Sequence, residues 1–452
     1  MAWLENFALE HSLEYRRDKT GNLVILKKAS SGYEGRPTVI LQSHVDMVAE
    51  KNSGTDFNFE TDPIETYIDG NWVRAMGTTL GADDGIGMAA QLAALASDDL
   101  KHGPLECLFT VDEETGLTGA FGLGKDMLTG KYLINLDSED EGEIFIGCAG
   151  GIDTVATFKY EYEPTPANQI FFRIDVNGLK GGHSGEDINK GLGNANKILA
   201  GFLKRLSKVC HVRIARFDGG NLRNAIPREA FAVFCVPVRS MPDMTDLFGQ
   251  YEADIREEFS VTDPGLALTL SEMPDETETA GGEGSIALIN ALFGVPNGVL
   301  TMSPRMENLV ETSTNLASVK FPSRGVIEVV SSQRSSAESS RDNAALSVEA
   351  VFQLAGAEVK HSDGYPGWAP DPSSRLLEIT KQSYQHLFKK EPKARAIHAG
   401  LECGLFLKKY PELEMVSFGP TLRGVHSPDE RLDIPSVDKF WKLLAEVLKK
   451  ID

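Results

Sequence analysis

Between residues 20 and 165, short apolar runs rich in β-branched side chains alternate with longer stretches of helical period. Residues 37–44, 105–111 and 131–136 (PTVILQSH, LECLFTV and KYLINL) predict buried strands, and residues 86–96 (IGMAAQLAALA) predict a helix. Strands that alternate with helices at this spacing indicate an α/β fold with a mostly parallel sheet. In such a sheet the binding crevice lies beyond the carboxyl ends of the strands.

The rhythm of the apolar positions changes after residue 165. The next part of the chain begins with the βαββαβ order of a ferredoxin-like domain. Its six elements are predicted at residues 169–177, 191–207, 211–218, 229–237, 243–258 and 265–272. A strand at 325–333, a helix at 337–355 and a strand at 357–361 indicate a second, divergent round of the same order.

Residues 160–169 (YEYEPTPANQ) are polar and contain two prolines, which places a domain boundary near residue 165. From residue 364 the pattern returns to helices and strands. We therefore predict a catalytic domain of residues 1–165 and 364–452, interrupted by an inserted α+β domain of residues 166–363. This inserted domain is expected to act as a lid and to contain a duplication. A chain of 452 residues is long enough for two such cores.

Charge and cysteine content restrict the partners and the location of the chain. A net charge of −21 argues against nucleic acid and against anionic membranes as partners. The longest apolar run, Met88–Ala96, is too short to span a bilayer, and the first residues lack the basic-then-apolar order of a signal peptide. Five cysteines without a CxxC spacing fit a reducing compartment, so we expect a cytoplasmic protein.

Acidic side chains and histidines follow the predicted strands, where a parallel sheet collects its binding residues. Five of them combine two imidazoles with three carboxylates: His44, Asp83, Glu114, Asp137 and His426. Such a set suits zinc, with cobalt or manganese as substitutes, and is large enough for two metal ions that share one carboxylate. Asp83 is the candidate bridge because glycines flank its turn before a helix; the alternative is that it caps this helix, a role that Asp84 fits better.

Glu113, Asp46 and His183 are the candidate catalytic residues. Asp46 follows His44 by two positions on an extended strand, so its carboxylate can hold one imidazole nitrogen while the other faces a metal. Glu113 precedes the candidate ligand Glu114 and is the candidate general base, although a lone acidic pair is more often a solvated loop. His183 lies in a glycine-flanked turn, where it could stabilise an oxyanion or be an ordinary exposed histidine.

Other motifs help to define the chemistry. The run IHAGLECG, residues 397–404, is interpreted as a substrate-binding loop that includes Glu402. The run GADDGIG, residues 81–87, resembles a nucleotide loop only superficially, because its two aspartates would repel phosphate. The sequence contains neither a GxSxG motif nor the context of a Cys–His nucleophile.

A series of ordered motifs along nearly the whole chain resembles the M20 metallopeptidases. The motifs are HVDMV, TTLGADDGIG, VDEETGLTGAFGL, LINLDSEDEGEIFIGCAGG, GLKGGHSGEDI, GGNLRNAIPREA, YPGWAPD, HAGLECGLF and GPTLRGVHSPDE. The resemblance implies a peptidase with two zinc ions per chain. It assigns His44 and Asp137 to one ion and Glu114 and His426 to the other. Asp83 then bridges the two ions.

The resemblance also implies a substrate class. An aspartate at position 137 is similar to the dipeptidase and aminopeptidase branch, so the expected substrates are dipeptides, including those with histidine as the second residue. An M20-type deacylase (aminoacylase) or a tripeptidase on the same dizinc site is the alternative.

Further expectations concern the inserted domain. His183 matches a lid histidine that assists the oxyanion once the lid closes, and Asn221 and Arg334 match lid positions that hold the carboxylate of the substrate. The resemblance also implies a homodimer through the lid, whereas the expected duplication of the lid would allow a self-sufficient monomer. Members of the family usually have a further helix before the position that corresponds to Met1, which is a departure of this sequence from the family pattern.

Overall fold

The computed structural model describes residues 1–276 and 278–452. Its α-helices are, in chain order, α1 (Ala2–Glu10), α2 (Ala82–Ala96), α3 (Glu113–Gly116), α4 (Thr118–Gly122), α5 (Ala195–Val209), α6 (Met241–Glu258), α7 (Gly282–Gly294), α8 (Glu338–Leu354), α9 (Arg375–Phe388), α10 (Cys403–Lys409) and α11 (Ile434–Lys450), with a 3₁₀ turn at Val238–Ser240. Among the residues described, none of the helices combines the length and the apolar character that crossing a bilayer would require.

The strands are, in the same order, β1 (Glu14–Arg17), β2 (Leu23–Lys27), β3 (Val39–His44), β4 (Thr66–Asp69), β5 (Trp72–Ala75), β6 (Leu105–Thr110), β7 (Tyr132–Asn135), β8 (Glu143–Cys148), β9 (Gly150–Lys159), β10 (Tyr162–Pro164), β11 (Gln169–Asn177), β12 (Gly182–His183), β13 (Arg213–Gly219), β14 (Ala225–Ile226), β15 (Ala230–Pro237), β16 (Ala267–Met273), β17 (Glu278–Ala280), β18 (Gly298–Met302), β19 (Val310–Ser323), β20 (Val326–Ser335), β21 (Glu358–His361), β22 (Lys393–Ile397), β23 (Glu414–Ser417), β24 (Leu422–Arg423) and β25 (Arg431–Asp433). They belong to two compact units, which are described separately below.

The first unit comprises residues 1–148, 368–396 and 401–452. Its main sheet has the strand order β1-β2-β6-β3-β7-β23-β8-β22. The central neighbours β6, β3, β7 and β23 are parallel, whereas β1, β2 and β8 pair antiparallel toward the edges. Every residue of β3 and β6 is buried, as expected for strands that are covered on both faces. The predicted α/β fold with a mostly parallel sheet is confirmed.

The second unit comprises residues 149–367 and 397–400, and its main sheet has the order β16-β11-β15-β13-β19-β20-β9-β21. The elements β11, α5, β13, β15, α6 and β16 follow one another as βαββαβ. Their strands pair antiparallel in the order β16-β11-β15-β13, which is a ferredoxin-like module. The predicted bounds of its elements agree with the observed ones to within a few residues.

A second ferredoxin-like module is built from β9, α7, β19, β20, α8 and β21. Its strands stand in the order β19-β20-β9-β21, and the two modules meet where Gly219 of β13 pairs with Val319 of β19. The first strand of this module, β9, precedes the whole of the other module in the chain. One module is therefore inserted within its duplicate, between β9 and α7.

This nesting corrects the predicted domain boundary. Strand β9 pairs with β20 and β21, so the second unit begins at residue 149 and not near residue 165. The polar run at 160–169 is a connection inside the second unit, from β9 to β11. Residues 364–367 and 397–400, which were predicted with the tail, also belong to the second unit.

Candidate metal centre and active site

The carboxyl ends of the central parallel strands carry most of the candidate residues of the first unit. His44 is the last residue of β3 and stands opposite Thr110, the last residue of β6. Glu113 and Glu114 follow β6 at the start of α3, and Asp137 follows β7 by two residues. Because neighbouring parallel strands end at the same edge, these side chains converge there.

The five predicted metal ligands lie together around Asp83. Its Oδ1 is 3.3 Å from His44 Nε2, and its Oδ2 is 3.2 Å from His426 Nε2. His44 Nε2 also lies 3.5 Å from Asp137 Oδ1, and His426 Nε2 lies 3.1 Å from Glu114 Oε2. Two groups of three ligand atoms thus share one aspartate, each group using a different oxygen of it.

The charges of this cluster fit cations. Burial opposes a positive charge on His44, but the neighbouring carboxylate of Asp137 raises the pKa of His44 far above its ordinary value. Hydrogen bonds to Asp83 and Glu114 raise the pKa of His426 to about 10. The carboxylates thus favour a positive charge at both imidazoles, and a metal ion bound there would supply that charge and release the imidazole protons. Glu114 Oε1 is buried without a hydrogen-bond partner among the described residues, which also suits a cation.

Glu113 lies beside this cluster. One carboxylate oxygen each of Glu113 and Glu114 and a ring nitrogen of His44 lie within 4.8 Å of one another. Burial, and next the negative charge of Asp137, raise the pKa of Glu113 to about 8. A carboxylate so placed is suited to exchange a proton with a group bound at the cluster.

Asp46 contacts His44 through both its carboxylate and its main chain, and it also binds the turn of Glu113 and Glu114. His44 Nδ1 is 3.0 Å from the main-chain oxygen of Asp46 and 3.7 Å from its Oδ1, so the main chain makes the closer contact. The carboxylate accepts hydrogen bonds from the backbone N–H groups of Glu113 and Glu114, both at 3.1 Å. Asp46 thus fixes the turn that carries the candidate base and one candidate ligand.

Asp84, rather than Asp83, caps the start of helix α2. Its Oδ1 accepts the backbone N–H of Gly87 at 3.1 Å, which is the capping contact expected of an aspartate. Asp83 has the non-helical backbone angles φ −87° and ψ 109°, and its side chain faces the two histidines. The alternative that Asp83 is merely a helix cap is therefore wrong.

His183 lies in the second unit, on the short strand β12, which pairs with β14. Its Nδ1 accepts the backbone N–H of Glu186 at 3.1 Å, so the neutral ring carries its proton on Nε2. Burial and the nearby charge of Arg334 lower the pKa of His183 to about 4. His183 is therefore a neutral hydrogen-bond donor at physiological pH.

Arg334 is the centre of a polar cluster in the second unit. Its Nη1 donates to the hydroxyl of Tyr365 at 2.9 Å, and its Nε is buried without a partner among the described residues. His398 belongs to the same cluster: its Nε2 is 2.7 Å from Ser313 Oγ, and burial and then Arg334 lower the pKa of His398 to about 3. His398 lies in the run 397–404 that was predicted as a substrate-binding loop, but its pairing with Ser313 and its nearness to Arg334 depend on the fold.

The two asparagines of GGNLRNAIP differ in their surroundings. Asn221, predicted to bind substrate, is exposed, and its Oδ1 accepts a hydrogen bond from Lys320 Nζ at 2.9 Å. The main-chain oxygen of Asn224 accepts the N–H of Ser184, next to His183. Asn221 is therefore held through its side chain by Lys320, whereas Asn224 is tied through its main chain to the segment of His183.

Glu402 is a core residue, which corrects its prediction as a substrate ligand. Its side chain is 0% exposed, and Oε2 accepts hydrogen bonds from Gln42 Nε2 at 2.6 Å and from Thr110 Oγ1 at 2.8 Å. Gln42 Oε1 in turn accepts from Asn135 Nδ2 at 2.6 Å, and Asn135 Oδ1 accepts from the hydroxyl of Ser417. This buried line of hydrogen bonds crosses β6, β3, β7 and β23 just before the candidate ligands.

Replacing Glu402 should therefore affect folding before substrate binding. Burial raises the pKa of Glu402 to about 8, so the group is largely protonated at neutral pH and Glu402→Gln should change the free energy of unfolding by less than about 1 kcal/mol. Glu402→Ala removes the acceptor of two buried donors and should cost about 1–3 kcal/mol or more. Denaturant titration measures both values. An increase in KM for Glu402→Gln with unchanged stability would instead support a substrate contact.

Comparisons with known proteins identify the family of the chain. The chain matches the model of the family "Peptidase family M20/M25/M40" over residues 40–450. It is 44% identical to the cytosol non-specific dipeptidase of Escherichia coli K12 over 449 residues, which are 99% of this chain and 92% of the relative. The crystal structure of aminoacylhistidine dipeptidase from Vibrio alginolyticus superposes with a TM-score of 0.93 at 43% identity, covering 100% of this chain and 92% of that one.

A more distant structure shares the fold alone. The aminopeptidase PepT from Bacillus cereus has a TM-score of 0.58 at 16% identity, covering 100% of this chain and 92% of that chain. The family match spans most of the sequence, and the resemblance seen in the sequence motifs is thereby confirmed. The chain belongs to peptidase family M20/M25/M40 and is a metallopeptidase.

Proposed function

We propose that the chain is a cytosolic dipeptidase that uses two zinc ions to hydrolyse dipeptides, including those with histidine as the second residue. The observation that carries the proposal is that Asp83 presents one oxygen to each of two groups of ligands. The names of the relatives from Escherichia coli and Vibrio alginolyticus support the substrate class, and the name of the former supports the location.

The candidate ligands divide between the two ions by their contacts. His44 and Asp137 would hold one ion, Glu114 and His426 would hold the other, and Asp83 would bridge them. Imidazole and carboxylate are ligands that zinc accepts, and cobalt or manganese can replace it at such sites. When bound, a pair of ions of this kind lowers the pKa of a water and polarises the scissile carbonyl.

Glu113 supplies the proton transfer in this proposal. Cations bound beside Glu113 would favour its ionised form. This carboxylate would then take a proton from the attacking water and return it to the amine that leaves when the peptide bond breaks. The backbone N–H groups of Glu113 and Glu114 donate hydrogen bonds to Asp46, which fix the turn that carries the Glu113 carboxylate. The base and the ligand Glu114 are therefore positioned by the same carboxylate.

The proposal also includes three residues of the second unit, His183, Arg334 and Asn221. The Nε2–H of His183 is proposed to donate a hydrogen bond to the carbonyl oxygen of the substrate as negative charge develops there. This nitrogen is the donor because Nδ1 accepts the backbone N–H of Glu186. Arg334 and Asn221 are proposed to bind the carboxylate of the dipeptide. The unpaired Nε of Arg334 supports its part of this assignment.

Metal content and hydrolysis together test the proposed function. The purified chain should contain about two zinc ions and should cleave Ala-His and β-Ala-His, because both ligand groups and the base are present. Chelation should abolish cleavage, and added zinc should restore it. A tripeptide and an N-acyl amino acid are assayed in parallel. Preferential cleavage of the tripeptide would favour a tripeptidase, and preferential cleavage of the N-acyl amino acid would favour a deacylase. A chain without metal or activity would overturn the proposal.

A further inference from the structure

Glu430 makes an unusual set of contacts four residues after His426. Its side chain is 2% exposed, and its two carboxylate oxygens accept hydrogen bonds from four consecutive backbone N–H groups. These groups belong to the run Leu80–Asp83, and the distances are 2.7, 3.0, 2.8 and 3.2 Å in chain order. The first two bonds go to Oε2 and the last two to Oε1. One buried carboxylate thus binds the whole turn that presents Asp83.

This turn has a physical need for such a partner. Helix α2 begins here, and the first N–H groups of a helix have no acceptor within the helix. Gly81, at the start of α2, has the left-handed angles φ 71° and ψ 25° and offers no side-chain cap. Asp83 departs from helical geometry while it directs its carboxylate to two histidines. Glu430 accepts hydrogen bonds from the N–H groups of this turn and holds its backbone in this conformation.

The same residue is tied to the segment that carries His426. That histidine has a positive φ of 61°. A hydrogen bond from Ser427 Oγ to Gly424 O spans its turn, and one from the Glu430 N–H to Ser427 O closes the next turn. The side chain of His426 is 53% exposed, so packing alone does little to hold it. Glu430 therefore links the backbone of one candidate ligand to the backbone of another.

We propose that Glu430 is a positioning residue of the metal centre. It sets the separation and the direction of Asp83 and His426, so that Asp83 can serve both groups of ligands. This inference rests on the proposed function, since it concerns the same metal site. Glu430 itself touches neither substrate nor metal, because its oxygens are engaged with the backbone of residues 80–83.

The chain contains a matched control in Glu414. Its Oε2 accepts hydrogen bonds from the N–H groups of Arg375 and Leu376 at 3.0 and 3.3 Å and from Ser374 Oγ at 3.2 Å. Glu414 thus caps helix α9 from a distant part of the first unit, as Glu430 caps α2. Helix α9 carries none of the candidate site residues, so Glu414 shares the structural role without the proposed one.

The test compares Glu430→Gln with Glu414→Gln in the full chain. A glutamine turns an N–H₂ group toward backbone donors, so both variants should lower the melting temperature of the metal-free protein. Titration with Co²⁺ and competition with a chelator should give a metal affinity about 10- to 100-fold weaker for Glu430→Gln, as for other residues that orient metal ligands. Its Co²⁺ visible absorption spectrum should also change. Glu414→Gln should match the wild type in both metal measurements.

The outcomes separate this inference from the proposed function. A wild-type chain that binds neither Co²⁺ nor Zn²⁺ overturns the proposed function. A wild-type chain with two ions, together with equal affinities and spectra for the two variants, overturns the role of Glu430 alone. If Glu430→Gln does not fold, Glu430→Asp is titrated against Glu414→Asp, because the shorter carboxylate cannot reach all four N–H groups. Equal affinities of that pair would count against the role in the same way.

Discussion

Replacing Glu113 with glutamine should lower kcat for dipeptide hydrolysis by about 100- to 10,000-fold, the range that general acid–base groups contribute. Glutamine has nearly the same size and keeps the backbone bond to Asp46, but it cannot accept a proton from water. Because Glu113 is the base and not one of the five proposed ligands, the variant should still bind about two zinc ions. Steady-state kinetics and metal analysis of the same preparation measure both effects.

The neighbouring Asp112→Asn serves as the control for this substitution. The carboxylate of Asp112 accepts hydrogen bonds from the hydroxyls of Thr115 and Thr118 within its own turn, so it is not directed at the cluster. This variant should keep kcat within about threefold of the wild type, as expected of a residue that makes no transition-state contact. If Glu113→Gln retains ordinary activity, Glu113 is not the base. Loss of metal from Glu113→Gln would instead make it a ligand.

Replacing Asp83 with asparagine should weaken the binding of both metal ions. The two oxygens of Asp83 face different histidines, at 3.3 and 3.2 Å, and asparagine offers only one oxygen and no charge. Residues that merely orient ligands are worth about 10- to 100-fold in affinity, so loss of a bridging ligand should exceed about 100-fold. Activity at limiting zinc should fall accordingly. Competition with a chelator gives the two dissociation constants.

Asp84→Asn provides the matched control one residue away. Asp84 caps α2 through Gly87, and asparagine caps helices about as well as aspartate. Asp84→Asn should therefore keep both ions and most of the activity. If Asp83→Asn lost one ion and left the other unchanged, Asp83 would be a terminal ligand of one site. Equal metal binding by the two variants would exclude Asp83 as a ligand.

Strand ends and their chemistry were readable from the sequence because they are local properties. The apolar run before His44 and the acidic pairs after the next strands indicated that several ligand types meet at one sheet edge. In the structure, β3, β6 and β7 are indeed adjacent and parallel. The ferredoxin-like order of the second unit was equally accessible, because each of its elements has its own period of apolar positions.

The domain boundary was not readable in the same way. Strand β9 follows β8 almost without a break, and its partner β20 lies about 170 residues further along the chain. Nothing in the local composition of residues 150–159 indicates which sheet they join, whereas the prolines after them give a conspicuous but misleading signal. Hydrogen bonding between distant strands decided this point.

The buried carboxylates of the site show the same difference between local properties of the sequence and properties that depend on the fold. Sequence alone determined the protein class, the two-domain plan, and a set of acidic and imidazole side chains suited to metals, because these depend on residue type and spacing. Tertiary structure alone decided that Glu402 is a core residue, that Asp46 binds the turn of Glu113, and that Glu430 binds the turn of Asp83. Glu430 and Ala82 are 348 residues apart. The role of a carboxylate depends on which donors surround it after folding, and only the folded chain brings such donors together.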